Sequence, residues 1–302
     1  MSKRPLRNIA ASVHQRLLNK PRESNRTFNE LLQYYAMERF LYRLSRSEHA
    51  QRFTLKGALM LTVWGAPFTR PTRDIDLLGQ LDNSPELMKN IMREICEQEV
   101  EPDGLRFDPE SVDVRRIAEQ ADYHGVRVTF RGHLGNARIP MQVDIGFGDV
   151  VAGVDTTVDY PTILDMPIPR IKGYSRQSTV AEKLEAMVKL GEINSRMRDF
   201  YDIWLLSRKF EFDGRPLANA IRRTFETRGT AIPKMPVAFT DEFVRAKQPQ
   251  WHAFVRKSAL DNALSDFGKV VQDLREFLCP VLKTLCTETE FTGIWPAGGP
   301  WQ

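Results

Sequence analysis

Two aspartates one residue apart, Asp74 and Asp76, lie in the stretch Thr72-Arg-Asp-Ile-Asp-Leu-Leu78. Ile75 and Leu77 alternate with them, so a strand here buries one face and presents both carboxylates on the other. A third acid, Asp144, alternates with Val143 and Ile145 in a second predicted strand, Ile139 to Phe147. Three carboxylates around one point offer hard oxygen ligands to a divalent cation such as Mg2+. Two such ions about 4 Å apart suit an in-line phosphoryl or nucleotidyl displacement. Without metal the same acids repel one another and raise their own pKa values. A lone DxD also occurs as a solvated strand end, so its weight comes from its surroundings.

Those surroundings contain further phosphate chemistry. Lys56-Gly57-Ala58 stands where a helix is expected to begin. A glycine there lets backbone N–H groups approach a phosphate and adds the positive end of the helix dipole; the plainer alternative is a turn. Lys183 sits one turn into a later predicted helix, where its ammonium would reach a triphosphate, or else be a solvated lysine. Asp199 and Asp202 in Arg198-Asp-Phe-Tyr-Asp202 share a helix face at i and i+3. Either suits proton acceptance from an attacking hydroxyl, and Asp199 alternatively pairs with Arg196 or Arg198. His124, His133 and His252 fall at no metal-binding spacing and are read as surface or structural. Trp64, Tyr35, Tyr42 and Phe53 are read as packing residues, with base stacking open to any exposed ring.

The elements that must carry these residues follow from periodicity. Phe28, Leu31, Leu32, Tyr35, Met37, Phe40 and Leu41 recur at helical spacing from Thr27 to about Arg46, with Arg39, Arg43 and Arg46 on a second face. A further helical stretch is expected from Phe53 through Leu61, broken at Gly65-Ala66-Pro67. Residues 84 to 100 return to helical spacing, and strands are expected at Val126 to Phe130 and Ile139 to Phe147. After an extended passage from Tyr160 to Pro169, a long helix opens at Ser178, with Thr179 and Glu182 as its expected capping box. Another helix covers Arg198 to Lys209. Helices continue less distinctly from Asp213, and the last dozen residues, rich in Gly, Pro and Trp, are expected to form a loose tail.

The chain has 302 residues, 42% of them hydrophobic and 27% charged, which suits one large or two ordinary domains and excludes global disorder and low-complexity classes. The net charge of +4 is unevenly spread. Through Arg52 eleven Lys or Arg (Lys3, Arg4, Arg7, Arg16, Lys20, Arg22, Arg26, Arg39, Arg43, Arg46, Arg52) face four acids (Glu23, Glu30, Glu38, Glu48), leaving the remainder acidic. A basic start on an acidic body points modestly to an anionic polymer, or to a solvated helix face. Cys96, Cys279 and Cys286 form no CxxC pair and are expected as reduced thiols. With no signal-like or membrane-spanning apolar run, the expectation is a cytoplasmic protein that does not enter a membrane.

The motifs occur in the order Gly57, Asp74/Asp76, Asp144, Lys183, Asp199/Asp202. The run FNELLQYYAMERFLYRLSRSEHAQRFTLKGALML, then RPTRDIDLLG, MQVDIGFGD, TVAEKLEAMVKLG and RMRDFYDIWLL, closely resembles the AbiEii/AbiGii toxin family, including its MenT-type members. These are DNA polymerase β-like nucleotidyltransferases of type IV toxin–antitoxin and abortive-infection systems. The resemblance covers about residues 15 to 210. It implies a bilobed α/β (α+β) fold: a nucleotidyltransferase lobe with a mixed sheet over residues 1–170, including the basic N-terminal helical region, and a mainly helical lobe over 171–302 that contributes Lys183 and Asp199.

The resemblance further implies that Asp74 and Asp76 are the metal-binding DxD and Asp144 the third acid, together holding two Mg2+ ions. Lys56, Gly57, Ala58, Thr72, Arg73 and Lys183 would bind the nucleoside triphosphate. Asp199 would act as base or orient the substrate, with Asp202 the second acid of its DxxD. Ala58 departs from the usual Gly or Ser and removes a hydroxyl at that place. The implied activity is transfer of a nucleoside monophosphate, of pyrimidine type, to the 3′ end of tRNA, blocking translation. A cognate AbiEi-like antitoxin is the implied partner, and a monomer is favoured. A protein-modifying kinase or nucleotidyl toxin, and a non-catalytic NTP- or RNA-binding module, are the alternatives.

Overall fold

A computed structural model of the protein describes residues 8–20, 26–66, 71–120, 123–148, 156–258, 260, 265–287 and 289–302, with the backbone alone at 118–120 and 123–124. Lys3, Arg4, Arg7, Arg22, Glu23 and Pro67 lie outside the described residues, as does the side chain of His124. The chain divides into two compact units, the first running to Gly173 and the second from Tyr174 onward. The fold is mixed α/β, with a seven-stranded mixed sheet in the first unit and a mainly helical second.

The first unit contains helices α1 (Ile9–Asn19), α2 (Phe28–Arg46), α3 (Leu59–Val63) and α4 (Pro85–Glu97). Its strands are β1 (Phe53–Lys56), β2 (Ile75–Gly79), β3 (Leu105–Gln120), β4 (Tyr123–Leu134), β5 (Ala137–Phe147), β6 (Thr156–Asp159) and β7 (Arg170–Gly173). They line up as β3-β4-β5-β2-β1-β7-β6. The β2–β5 and β1–β7 pairs are parallel and the rest antiparallel. Leu55, Ile75, Leu77, Val128, Val143 and Ile145 are fully buried, with α2 packing against β5 and α4 against β3. Phe40 of α2 meets Phe107 and Phe130 of the sheet at ring separations of 5.7 and 5.0 Å, an aromatic seam that fixes helix against strands.

Several expectations are corrected. Phe53 to Lys56 is a strand rather than the start of a helix, and only Leu59–Val63 is helical. The four residues Phe53–Lys56 are all buried, and a segment that short does not establish a period by which strand and helix could be told apart. The arginine face of α2 is buried as well. Arg39 lies 2.9 Å from Glu38 and donates to the Pro167 carbonyl, while Arg43 grips Asp103 at 2.7 and 3.1 Å. Only Arg46 of the three is exposed, so part of the N-terminal charge surplus is neutralised inside the molecule. The longest strand, β3, escapes sequence reading because Pro109 and a register shift between Asp108 and Asp113 break its alternation.

The second unit contains α5 (Arg176–Leu190), α6 (Met197–Lys209), α7 (Gly214–Thr227), α8 (Asp241–Lys257) and α9 (Phe267–Cys286), with a two-stranded pair β8 (Phe212–Asp213) and β9 (Ile294–Trp295). Helix α5 starts two residues earlier than expected, with its cap one turn before Thr179. Ser175 is its N-cap and accepts from the Ser178 N–H, whereas Thr179 is buried within the helix and Glu182 accepts from the Tyr174 hydroxyl. No capping box forms at Thr179, because that residue lies inside the helix and the Glu182 carboxylate is engaged by Tyr174. A complete capping box does form, but on α2, between Thr27 and Glu30.

The C-terminal stretch is not a loose tail. Trp295 is buried and donates to the Ser207 carbonyl at 2.7 Å, and Trp301 donates to the Phe277 carbonyl at 2.8 Å. Two indoles supply enough apolar area, with their N–H groups satisfied, to hold a glycine- and proline-rich segment against the helices. The three cysteines are unpaired, and burial pushes the Cys96 thiol up to about 12.

Candidate active site

Register brings the first carboxylates together. Asp76 on β2 is the direct parallel partner of Asp144 on β5, and on its other side it faces Lys56, the last residue of β1. Because Ile75, Leu77, Val143 and Ile145 point into the core, Asp76 and Asp144 project from the opposite face. Asp74, just ahead of β2, completes the group: one oxygen of each carboxylate lies within 4.8 Å of the others. Three convergent hard oxygens of this kind fit a divalent cation.

The surroundings hold each acid in place. The Thr72 hydroxyl bonds the Asp74 carboxylate, and the Thr72 N–H donates to the Tyr34 hydroxyl at 3.0 Å. Arg127, which faces Asp144 across the β4–β5 ladder, grips both its oxygens at 2.8 Å, and the Gln142 amide donates to it at 3.3 Å. Such a fork fixes the plane of the carboxylate and brings one positive charge to the group.

Gly57 follows Lys56 with φ +69°, a region costly to other residues. A Cβ there would lie 1.9 Å from Asp76 Oδ2 and 2.6 Å from its Cγ. The glycine is therefore required twice, by the turn and by the carboxylate beside it. Ala58 is the N-cap of α3 and gives it no side-chain bond.

A second polar group belongs to the helical unit. Lys183 on α5 reaches Asp199 at 2.6 Å and Asp202 at 2.9 Å on α6, and Arg196 reaches Asp199 at 2.9 Å. Both aspartates are buried. Burial alone would raise the Asp199 carboxyl, but Lys183, Arg196 and Arg198 outweigh it and hold it below the usual carboxylate range. A carboxylate so held is a weak proton acceptor and a strong anchor for the lysine.

The structure thus joins Asp74, Asp76 and Asp144 with Thr72, Lys56 and Gly57 around them, and separately joins Lys183, Asp199 and Asp202. Arg73 is exposed and lines a cleft with Thr129, Arg131 and Gln142. Sequence reading missed Arg127 and Gln142, although Gln142 stands two residues from Asp144 on its own strand face. A third group, Glu48, His49 and Glu94, also brings potential ligand atoms together, with His49 Nε2 2.6 Å from Glu94.

Comparison with known proteins bears on this arrangement. No curated protein matches the chain. Two crystal structures from Helicobacter pylori are similar at 14% identity over 86% of this chain. One is JHP933, 95% of whose chain is covered, with a TM-score of 0.48; the other, described as a "putative nucleotidyltransferase", is covered over 99% with a TM-score of 0.49. The family model of the nucleotidyl transferase AbiEii toxin, type IV toxin–antitoxin system, matches residues 39–273, so this chain belongs to the AbiEii family.

Proposed function

We propose that the protein is an Mg2+-dependent toxin that transfers a nucleoside monophosphate from an NTP, of pyrimidine type, to the 3′ end of tRNA and so blocks translation. The observation that carries the reading is the pairing of Asp76 with Asp144, with Asp74 beside them, on one face of a mixed sheet. Membership of the AbiEii family supports nucleotidyl transfer and an antitoxin partner. The tRNA acceptor, the pyrimidine preference and an AbiEi-like antitoxin rest on the sequence resemblance.

Asp74, Asp76 and Asp144 would hold the metal, two ions in this reading. When bound, such ions neutralise phosphate charge and lower the pKa of an attacking hydroxyl. The chain's own residues then have distinct tasks. Thr72 fixes Asp74, Arg127 and Gln142 orient Asp144, and Gly57 leaves Asp76 its space. Lys56, Gly57 and Ala58, at the turn beside Asp76, are assigned to the nucleotide with Thr72 and Arg73. Lys183 is assigned to triphosphate charge. Asp199 and Asp202 are assigned to holding that lysine rather than to proton abstraction, because the ion pairs keep Asp199 ionised at low basicity.

The test is incubation of the purified protein with tRNA, Mg2+ and each radiolabelled NTP in turn. Labelling of the tRNA 3′ end, strongest with CTP or UTP, is expected, with loss of at least about a hundredfold in Asp76→Ala. Full activity in that variant would overturn the metal assignment; label on an antitoxin instead of RNA would overturn the acceptor.

A further inference from the structure

The polar face that carries Asp76 and Asp144 continues beyond them. Along β4 the residues on that face are Arg127, Thr129 and Arg131; along β5 they are Asp144, Gln142 and Pro140, paired across the ladder row by row. Rows two residues apart are separated by about 7 Å, so the Thr129/Gln142 row lies about 7 Å, and the Arg131/Pro140 row about 13 Å, from the Arg127/Asp144 row. Over the two farther rows lies a cleft of about 450 Å³, walled in part by Arg73 and by Gln33 of α2, which donates to the Pro140 carbonyl at 3.0 Å.

The chemistry of this cleft is phosphate-seeking. Arg73 is exposed and makes no ion pair among the described residues. Arg131 spends one N–H on Asp108 at 3.1 Å and remains 59% exposed, with further donors on its fork. At the inner end, Gln142 uses its amide nitrogen on Asp144, which leaves its carbonyl oxygen for a base edge, beside the Thr129 hydroxyl. Under the nucleotidyl-transfer reading, the reacting phosphate and hydroxyl meet at the carboxylates. The Arg131 guanidinium, two rows away, therefore faces a phosphate that is covalently continuous with the acceptor rather than one of a single NTP.

We propose that this cleft seats the end of a single-stranded polynucleotide acceptor, with phosphodiesters on Arg73 and Arg131 and a base against Gln142 and Thr129. This rests on the function proposed above. The 3′-terminal hydroxyl lies at the carboxylates and the preceding nucleotides run outward along the β4–β5 ladder.

The experiment measures fluorescence anisotropy of a labelled oligoribonucleotide of about ten nucleotides, within the usual range of single-strand sites. The full-length protein is compared with Arg73→Gln, Arg131→Gln and, as a charge-matched control on α7, Arg223→Gln. Binding of a fluorescent NTP and the thermal melt are recorded for each. Arg131→Gln is expected to weaken oligonucleotide binding about tenfold and to lower the salt slope by about 0.7 per lost phosphate contact, with the NTP isotherm and melt held; Arg73→Gln, at a residue also assigned to the nucleotide, is expected to weaken the oligonucleotide by a similar factor with the melt held. Equal losses in Arg223→Gln, a loss confined to the NTP, or no loss at all would overturn the cleft. If wild type labels RNA while the cleft variants bind it normally, only this inference fails; if wild type neither binds nor labels RNA, the functional reading fails with it.

Discussion

Gly57 shows how a single position can be fixed by two independent demands. Its backbone has φ +69°, and the space where a Cβ would stand is held by the Asp76 carboxylate. Gly57→Ala is expected to cost about 1–2 kcal/mol through the left-handed backbone alone. It must also turn Asp76 away from Asp144, so nucleotidyl transfer should fall much further than stability. A urea melt and a tRNA-labelling assay on the same preparation check this, and unchanged labelling would show that Asp76 need not keep its position. At this scale the sequence was legible where alternation was clean: Ile75, Leu77, Val143 and Ile145 placed the three acids on polar faces. It was silent on Arg127, because only the β4–β5 register says which of many arginines meets Asp144.

Helix α2 carries an electrostatic device that its amphipathic pattern conceals. Glu38 is wholly buried, lies 2.9 Å from Arg39 and accepts from the Ile163 N–H at 2.7 Å, tying the extended segment before β7 to the helix. Burial pushes its carboxyl up to about 7, against the opposing pull of Arg39 and of the Ile163 bond. The folded state then holds this proton more tightly than the unfolded chain does. Glu38 therefore contributes most below about pH 4.5, and its contribution declines as pH rises toward about 7, at about 1.4 kcal/mol per unit of separation. Glu38→Gln, which resembles the protonated carboxyl, is expected to leave the melting temperature little changed near pH 4.5 and to remove the Glu38 part of the decline toward about pH 7. Melts between pH 4.5 and 7.5 test it, and an unchanged slope would exclude Glu38 as its source. The extent of α2 was legible from its spacing. Its burial on nearly every side was not, because arginines normally mark a solvated face and here they meet Glu38 and Asp103 inside.

At the scale of the whole chain, the two units are built by different means, and the C-terminal segment belongs to the core of the second. Trp295 packs 5.0 Å from Phe277 and 5.5 Å from Trp301, with its N–H bonded to the Ser207 carbonyl. Trp295→Ala is expected to cost about 3–5 kcal/mol, as removal of a buried aromatic does. Chemical denaturation monitored by circular dichroism would register it, and a loss below about 1 kcal/mol would mean that the segment is only laid over the helices. Composition misled here, since glycine and proline weigh toward a loose end while two buried indoles outweigh them. No described helix is long and apolar enough to cross a membrane.

By itself the sequence determined the periods: which segments alternate, which turn every three or four residues, and therefore that Asp74, Asp76 and Asp144 stand on polar faces and that Lys183, Asp199 and Asp202 stand on helices. Its motif order also pointed to the family that the comparison established. The tertiary structure decided the partners. Strand order put β5 beside β2, which made Asp76 and Asp144 neighbours, and it placed Arg127 and Gln142 on Asp144. Packing turned two arginines of α2 inward and drew Lys183 into a buried ion-pair cluster. The division has a physical cause: alternation is a local property of the backbone, whereas register, burial and charge pairing join residues far apart in the chain and exist only once it has folded.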